Sequence, residues 1–90
     1  MQIDEVREGL AKKGWEVMWI DEVEMPDPRY PYVEVSVEAR MAGVTTRSTV
    51  YAARRVQSSW VVTDLHIQME KCMAMLRLPL AAAGPAARSP

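Results

Sequence analysis

The sequence predicts an α+β fold in which a helix, a three-stranded antiparallel sheet and a second helix follow in order (αβββα), both helices on one face of the sheet. Three patterns predict it: a two-residue alternation through the middle of the chain, broken once at Ala42-Gly43, and helical spacing of apolar residues before and after it. Ninety residues with 49% hydrophobic content fit one domain, and a chain this short buries only about 60% of its unfolded surface. The domain is expected over residues 1–78, with an Ala/Pro-rich mobile tail over 79–90.

Ile3, Val6 and Leu10 are spaced three and four apart, with Asp4, Glu5, Arg7 and Glu8 between them, which gives a short amphipathic helix. Acids fill its first turn and Lys12 and Lys13 its last, matching the helix dipole, and Gly14 follows as the left-handed cap.

The next segment, Trp15 to Met25, is rich in strand formers but apolar on both faces: Trp15, Val17 and Trp19 on one, Met18 and Ile20 on the other. Past Ile20 the phase becomes Asp21, Val23 and Met25 against Glu22 and Glu24, so a bulge or strand end is expected near Ile20. A strand apolar on both faces is expected to be central and covered twice, or to meet a second copy of the protein. Pro26, Pro28 and Pro31 then make a connecting loop, since proline lacks an amide donor and drives the preceding residue toward extended geometry. The Tyr30-Pro31 bond is the candidate for a cis peptide, with trans expected, and Tyr30 and Tyr32 are expected to lid the edge of the core, a contact surface among the prolines being the alternative.

From Tyr32 to Ala52 the alternation is regular. Val33, Val35, Val37, Ala39 and Met41 share one side, and Tyr32, Glu34, Ser36, Glu38 and Arg40 the other. With Ala42 and Gly43 as central turn residues, Val35 faces Val50, Val37 faces Ser48, Glu38 faces Arg47 and Glu34 faces Tyr51, so that acid meets base across the hairpin. Only Gly43 takes positive φ without strain, which leaves a three-residue or bulged loop as the alternative turn.

Val61, Val62, Leu65, Met69, Cys72, Met73 and Leu76 follow helical spacing, and Ser58 or Ser59 is placed to cap the start, so a helix is expected from about Trp60 to Arg77. The same stretch also alternates from Val61 to Glu70, and the rival reading is a fourth strand to Met69 followed by a short C-terminal helix.

Little in the chain carries chemistry. Cys72 is the single cysteine and His66 the single histidine, Cys72 sits in an apolar stripe, and the four glycines are too dispersed to cradle a phosphate. No enzyme activity, no cofactor and no metal site is expected, and the acids Asp21, Glu22 and Glu24 read as a solvated strand end. One thiol, an acidic start and no apolar run long enough to cross a bilayer point to a cytoplasmic setting.

The net charge of −1 hides an uneven distribution. Residues 1–38 hold ten acids and four bases, whereas residues 39–90 hold two acids and seven bases. Such asymmetry steers a charged partner or brings copies together with opposite ends facing, unless the two halves interleave in space. The candidate contact residues are Arg40, Arg47, Tyr51, Arg54 and Arg55, where arginines and a tyrosine beside Thr45 and Thr49 suit phosphates and stacked bases. A pI near 5.8 weighs against a nucleic-acid partner.

The predicted order over residues 3–77 resembles in topology the double-stranded-RNA-binding domain. In that family basic residues at the start of the second helix grip phosphates across a groove. Here that entry reads Val56-Gln57-Ser58-Ser59-Trp60-Val61-Val62, preceded by Arg54 and Arg55. The leading expectation is a small non-enzymatic binding or regulatory module acting through protein contacts, as a homodimer. The alternatives are nucleic-acid binding by the hairpin arginines, and a phage or mobile-element factor that inhibits a host complex.

Overall fold

The computed structural model describes residues 1–77. The order is α1 (Ile3–Lys12), β1 (Glu16–Glu24), β2 (Tyr32–Met41), β3 (Val44–Ala53) and α2 (Ser58–Arg77). This is the αβββα arrangement expected, and the rival fourth strand is not needed because residues 61–69 are helical. The expected tail, 79–90, lies outside the described residues, as does residue 78.

The sheet order is β1-β2-β3. The α1 helix packs on β1, α2 packs on β3, and the two helices touch each other on the same side of the sheet. Between them lies the core: Val33, Val35, Val37 and Ala39 of β2, Val50 and Ala52 of β3, Val6 and Leu10 of α1, and Val61, Val62, Leu65 and Met69 of α2. Each fully buried Val or Leu contributes about 1.5–3 kcal/mol. The β2 alternation is therefore what places the sheet beneath the helices.

The α1 terminus is built as its sequence suggests. Gly14 has φ +100° and donates its N–H to the Ala11 carbonyl, while Trp15 N–H reaches back to Leu10. This pair of bonds is the left-handed helix end that glycine permits, and it drops Trp15 into the core beside Leu10, where it is 2% exposed. The opposite end of the domain is tied by Ser58. Its hydroxyl accepts the Gln2 N–H at 2.9 Å and lies 3.1 Å from Glu5 Oε1. The serine expected to cap α2 therefore fastens the start of α2 to the start of α1.

The hairpin register is the one read from the alternation, including Val35 opposite Val50, Glu38 opposite Arg47 and Glu34 opposite Tyr51. Met41 pairs Val44, so the loop has two residues, with φ +51° at Ala42 and +78° at Gly43. Both positive values fit the tight turn whose twist matches flanking strands.

The β1 strand corrects one expectation, that it is central and covered twice, and bears out another, the bulge near Ile20. It is an edge strand, with β2 in the centre, and among the described residues helices cover one face alone. The irregularity falls at Met18, between the pairs Val17–Ala39 and Trp19–Glu38, two residues before Ile20. One extra residue there puts Val17 and Ile20 on the helix side and sends Trp19, Asp21 and Val23 to the open side. It also turns Glu22 and Glu24 toward the helix side, opposite Val35 and Val33. A ten-residue helix rises only about 15 Å along a strand of about 30 Å, and both glutamates remain exposed. Inward-facing charges on an edge strand discourage pairing with another strand. The Tyr30-Pro31 bond is trans, as expected. Contrary to expectation, Tyr30 and Tyr32 are exposed rather than packed over the core edge.

Candidate interaction face

The helix-free face of the sheet collects side chains from all three strands in aligned rows. Glu16, Arg40 and Thr45 form the first row, Trp19, Glu38 and Arg47 the second, Asp21, Ser36 and Thr49 the third, and Val23, Glu34 and Tyr51 the fourth. Tyr32 and Ala53 follow at the far end. Directly opposed residues on one face lie close enough to interact, and here nearly every row does.

In the first row Arg40 donates to Glu16 Oε1 from Nε at 3.1 Å and from Nη2 at 2.8 Å. In the second, Arg47 Nε donates to Glu38 Oε1 at 2.7 Å, and its guanidinium carbon stands 5.5 Å from the centroid of the Trp19 ring. That geometry is a cation over an aromatic face. Ser36 and Thr49 share a hydrogen bond of 2.9 Å in the third row. In the fourth, the Tyr51 hydroxyl donates to Glu34, and this bond, followed by the charge of the carboxylate, raises the Tyr51 pKa above its ordinary value.

Apolar and aromatic surface remains open on this face. Trp19 is 37% exposed, Val23 47% and Tyr51 63%. Isolated exposed apolar residues mean little. Here Trp19 and Val23 stand on β1 and Tyr51 on β3, flanking Glu34 of the central strand, with Tyr32 beyond on β2, so apolar surface surrounds an acid on one sheet face.

The five residues singled out from the sequence divide between two places. Arg40, Arg47 and Tyr51 share the open face. Arg54 and Arg55 lie past the end of β3, where Arg54 Nη1 pairs with Glu24 Oε1 at 3.0 Å. Arg55 lines a shallow depression of about 460 Å³ with Gln2, Glu5 and Ser58. A second groove of about 620 Å³ runs between α1 and α2 and mixes Glu5 and Glu8 with Lys12 and Lys13. Arg40, Arg47 and Arg54 are thus each matched to a carboxylate, so three of the four arginines read from the sequence are locally neutralised.

Sequence reasoning missed Trp19, Asp21 and Val23 as members of this face. The signal was present in the apolar run Val17-Met18-Trp19-Ile20, where four consecutive apolar residues in an otherwise alternating strand mark an inserted residue.

His66 and Cys72 are kept apart from this face on α2. The imidazole sits at the core edge, with Nδ1 2.9 Å from the Trp15 indole nitrogen and Nε2 3.1 Å from Glu70 Oε1. Cys72 is a half-buried free thiol. Among the described residues no group of three His, Cys, Asp or Glu side chains is arranged to hold a metal ion, and no helix is long and apolar enough to cross a membrane. The chain matches no family model, no curated protein and no solved structure.

Proposed function

We propose that this chain is a non-catalytic interaction module that holds another protein against the helix-free face of its sheet. The observation that carries this reading is the open patch of Trp19, Val23, Tyr32 and Tyr51 beside Arg47, all displayed from rigid strands. Trp, Tyr and Arg are the residues that dominate binding energy at protein interfaces, while charged residues already paired at the margin contribute little. Nucleic-acid binding draws less support, because phosphates would have to displace the carboxylates already bound by Arg40, Arg47 and Arg54.

Affinity capture from the native host with the wild-type chain and with a Trp19→Ser, Tyr51→Ser variant tests the reading. Both side chains are exposed, so the variant is expected to fold. A nuclease-resistant protein retained by the wild type and lost with the variant is the expected result. Equal retention by both, or loss on nuclease treatment, overturns it.

A homodimer draws on a different observation. Past Met69 the buried side of α2 continues into Met73 and Leu76, and Met75 and Leu76 are 72% and 61% exposed. A second copy covering this end is the form of self-association that the structure favours. Sedimentation of a strict monomer at micromolar concentration would remove it.

A further inference from the structure

The identity of the partner can be narrowed by chemistry, on the footing that the open sheet face is a protein interface. Four carboxylates and two guanidinium groups lie on that face: Glu16, Asp21, Glu34 and Glu38 against Arg40 and Arg47. Arg40 is taken by Glu16 and Arg47 by Glu38. Among the described residues Asp21 and Glu34 have no basic partner, and their existing bonds are to a backbone N–H and a tyrosine hydroxyl.

Their placement is specific. Asp21 pairs across the sheet with Ser36, and Glu34 pairs with Val23. The two acids are therefore diagonal neighbours, about 7–8 Å apart at the backbone, with Trp19, Val23 and Tyr51 around them. A lysine or arginine entering here meets two carboxylates and aromatic rings at once. Trp19 already carries one guanidinium, that of Arg47, at 5.5 Å.

We infer that this face receives a lysine- or arginine-bearing segment of another protein, whose cationic group settles between Asp21 and Glu34 while its aliphatic stem lies on Val23 and Tyr51. Long basic side chains suit such a site, since the stem buries against apolar surface as the head finds the acids. The same charges exclude two other occupants. Aligned sheets keep their strands within about 30° of each other, so a second copy packed in that way would lay β2 over β2 and set Glu34 and Glu38 against carboxylates. A nucleic acid would bring phosphates to the two unmatched acids.

The test titrates the full isotopically labelled chain with three short synthetic peptides: alternating lysine and threonine, the same with glutamate for lysine, and the same with serine for lysine. The expected result is amide shifts confined to the rows of Asp21, Ser36, Val23, Glu34 and Tyr51 with the lysine peptide, weakened about tenfold by added salt or by Asp21→Asn with Glu34→Gln. Equal shifts on the same face with the serine or glutamate peptide overturn the cationic selectivity while leaving the interface reading intact. Lysine-peptide shifts elsewhere, no shifts at all, or an undiminished response in the double variant also overturn it. An RNA duplex that shifts these rows more strongly than any peptide overturns both readings together.

Discussion

The indole N–H of Trp15 donates to Nδ1 of His66 at 2.9 Å, joining the turn after α1 to the middle of α2. An indole nitrogen can only donate, so Nδ1 accepts and the ring proton of neutral His66 sits on Nε2, facing Glu70. The rings meet edge-on, at 76° and 6.1 Å between centroids. Trp15 is buried, and removing its acceptor leaves the indole N–H without its hydrogen-bond partner. His66→Leu is therefore expected to cost about 1–3 kcal/mol. His66→Asn, which keeps an acceptor, should recover part of this. Urea unfolding followed by tryptophan fluorescence reads both, and an unchanged midpoint for His66→Leu would show that the bond adds nothing to stability.

Gly9 is where α1 meets Val62 of α2. A Cβ placed there would stand 2.6 Å from Val62 Cγ2. Alanine is the better helix former by about 1 kcal/mol, yet overpacking of this kind costs about 1–3 kcal/mol. Gly9→Ala should be neutral to destabilising by about 2 kcal/mol on balance. The decisive measurement is the double-mutant cycle with Val62→Ala, which should show Gly9→Ala becoming favourable once Val62 is trimmed.

Thr46 lies under α2, 3% exposed, and its hydroxyl has no hydrogen-bond partner among the described residues. Its neighbour on the same face, Ser48, donates to Gln68 at 2.9 Å and so avoids the same cost. Replacing Thr46 with valine keeps the shape and removes the orphaned oxygen. A gain of about 1 kcal/mol in chemical denaturation is expected, and a loss would show that the hydroxyl finds a partner in solution.

Much of this architecture was legible in the residues, and the reasons differ from element to element. The β2–β3 register was readable because a one-residue slip would expose Val35 and Val37 and separate Glu38 from Arg47, so hydrophobic and charge patterns select the same pairing. The end of α1 was readable because only glycine takes the φ of +100° found at Gly14 at no steric cost. The face of Trp19 was not. A bulge moves every later residue to the other side, and an alternation count cannot say whether the inserted residue is Met18 or one nearer Ile20. The roles of Ser58 and His66 were hidden for another reason. Their partners, Gln2 and Trp15, lie more than fifty positions away, and a periodicity records only which side a residue faces.

Ala42 adopts φ +51° at the first central turn position, where a Cβ is uncomfortable and Asn is favoured. Ala42→Asn should raise the stability of the domain by about 0.5–1 kcal/mol, a melting increase of several degrees for a domain of this size. The turn stands apart from the open face, so peptide shifts at Glu34 and Tyr51 should be unaffected. A lower melting temperature would mean that the loop in solution is not the two-residue turn.

Tyr51 reports on the open face itself. Its hydroxyl is bonded to Glu34, whose charge disfavours the phenolate, and its pKa lies above the ordinary value for tyrosine. The folded state thus holds the phenolic proton more tightly than the unfolded chain does. By linkage, the contribution is fully present below the unfolded tyrosine pKa and is lost as pH rises through the higher folded value. Ultraviolet titration of the folded chain should show one tyrosine titrating later than in a denatured sample. Glu34→Gln should bring that group back toward the ordinary range, because the carboxylate charge is gone. A cationic segment bound between Asp21 and Glu34 would offset the same charge, so the lysine peptide should move the Tyr51 titration in the same direction as the substitution, and the serine peptide should not.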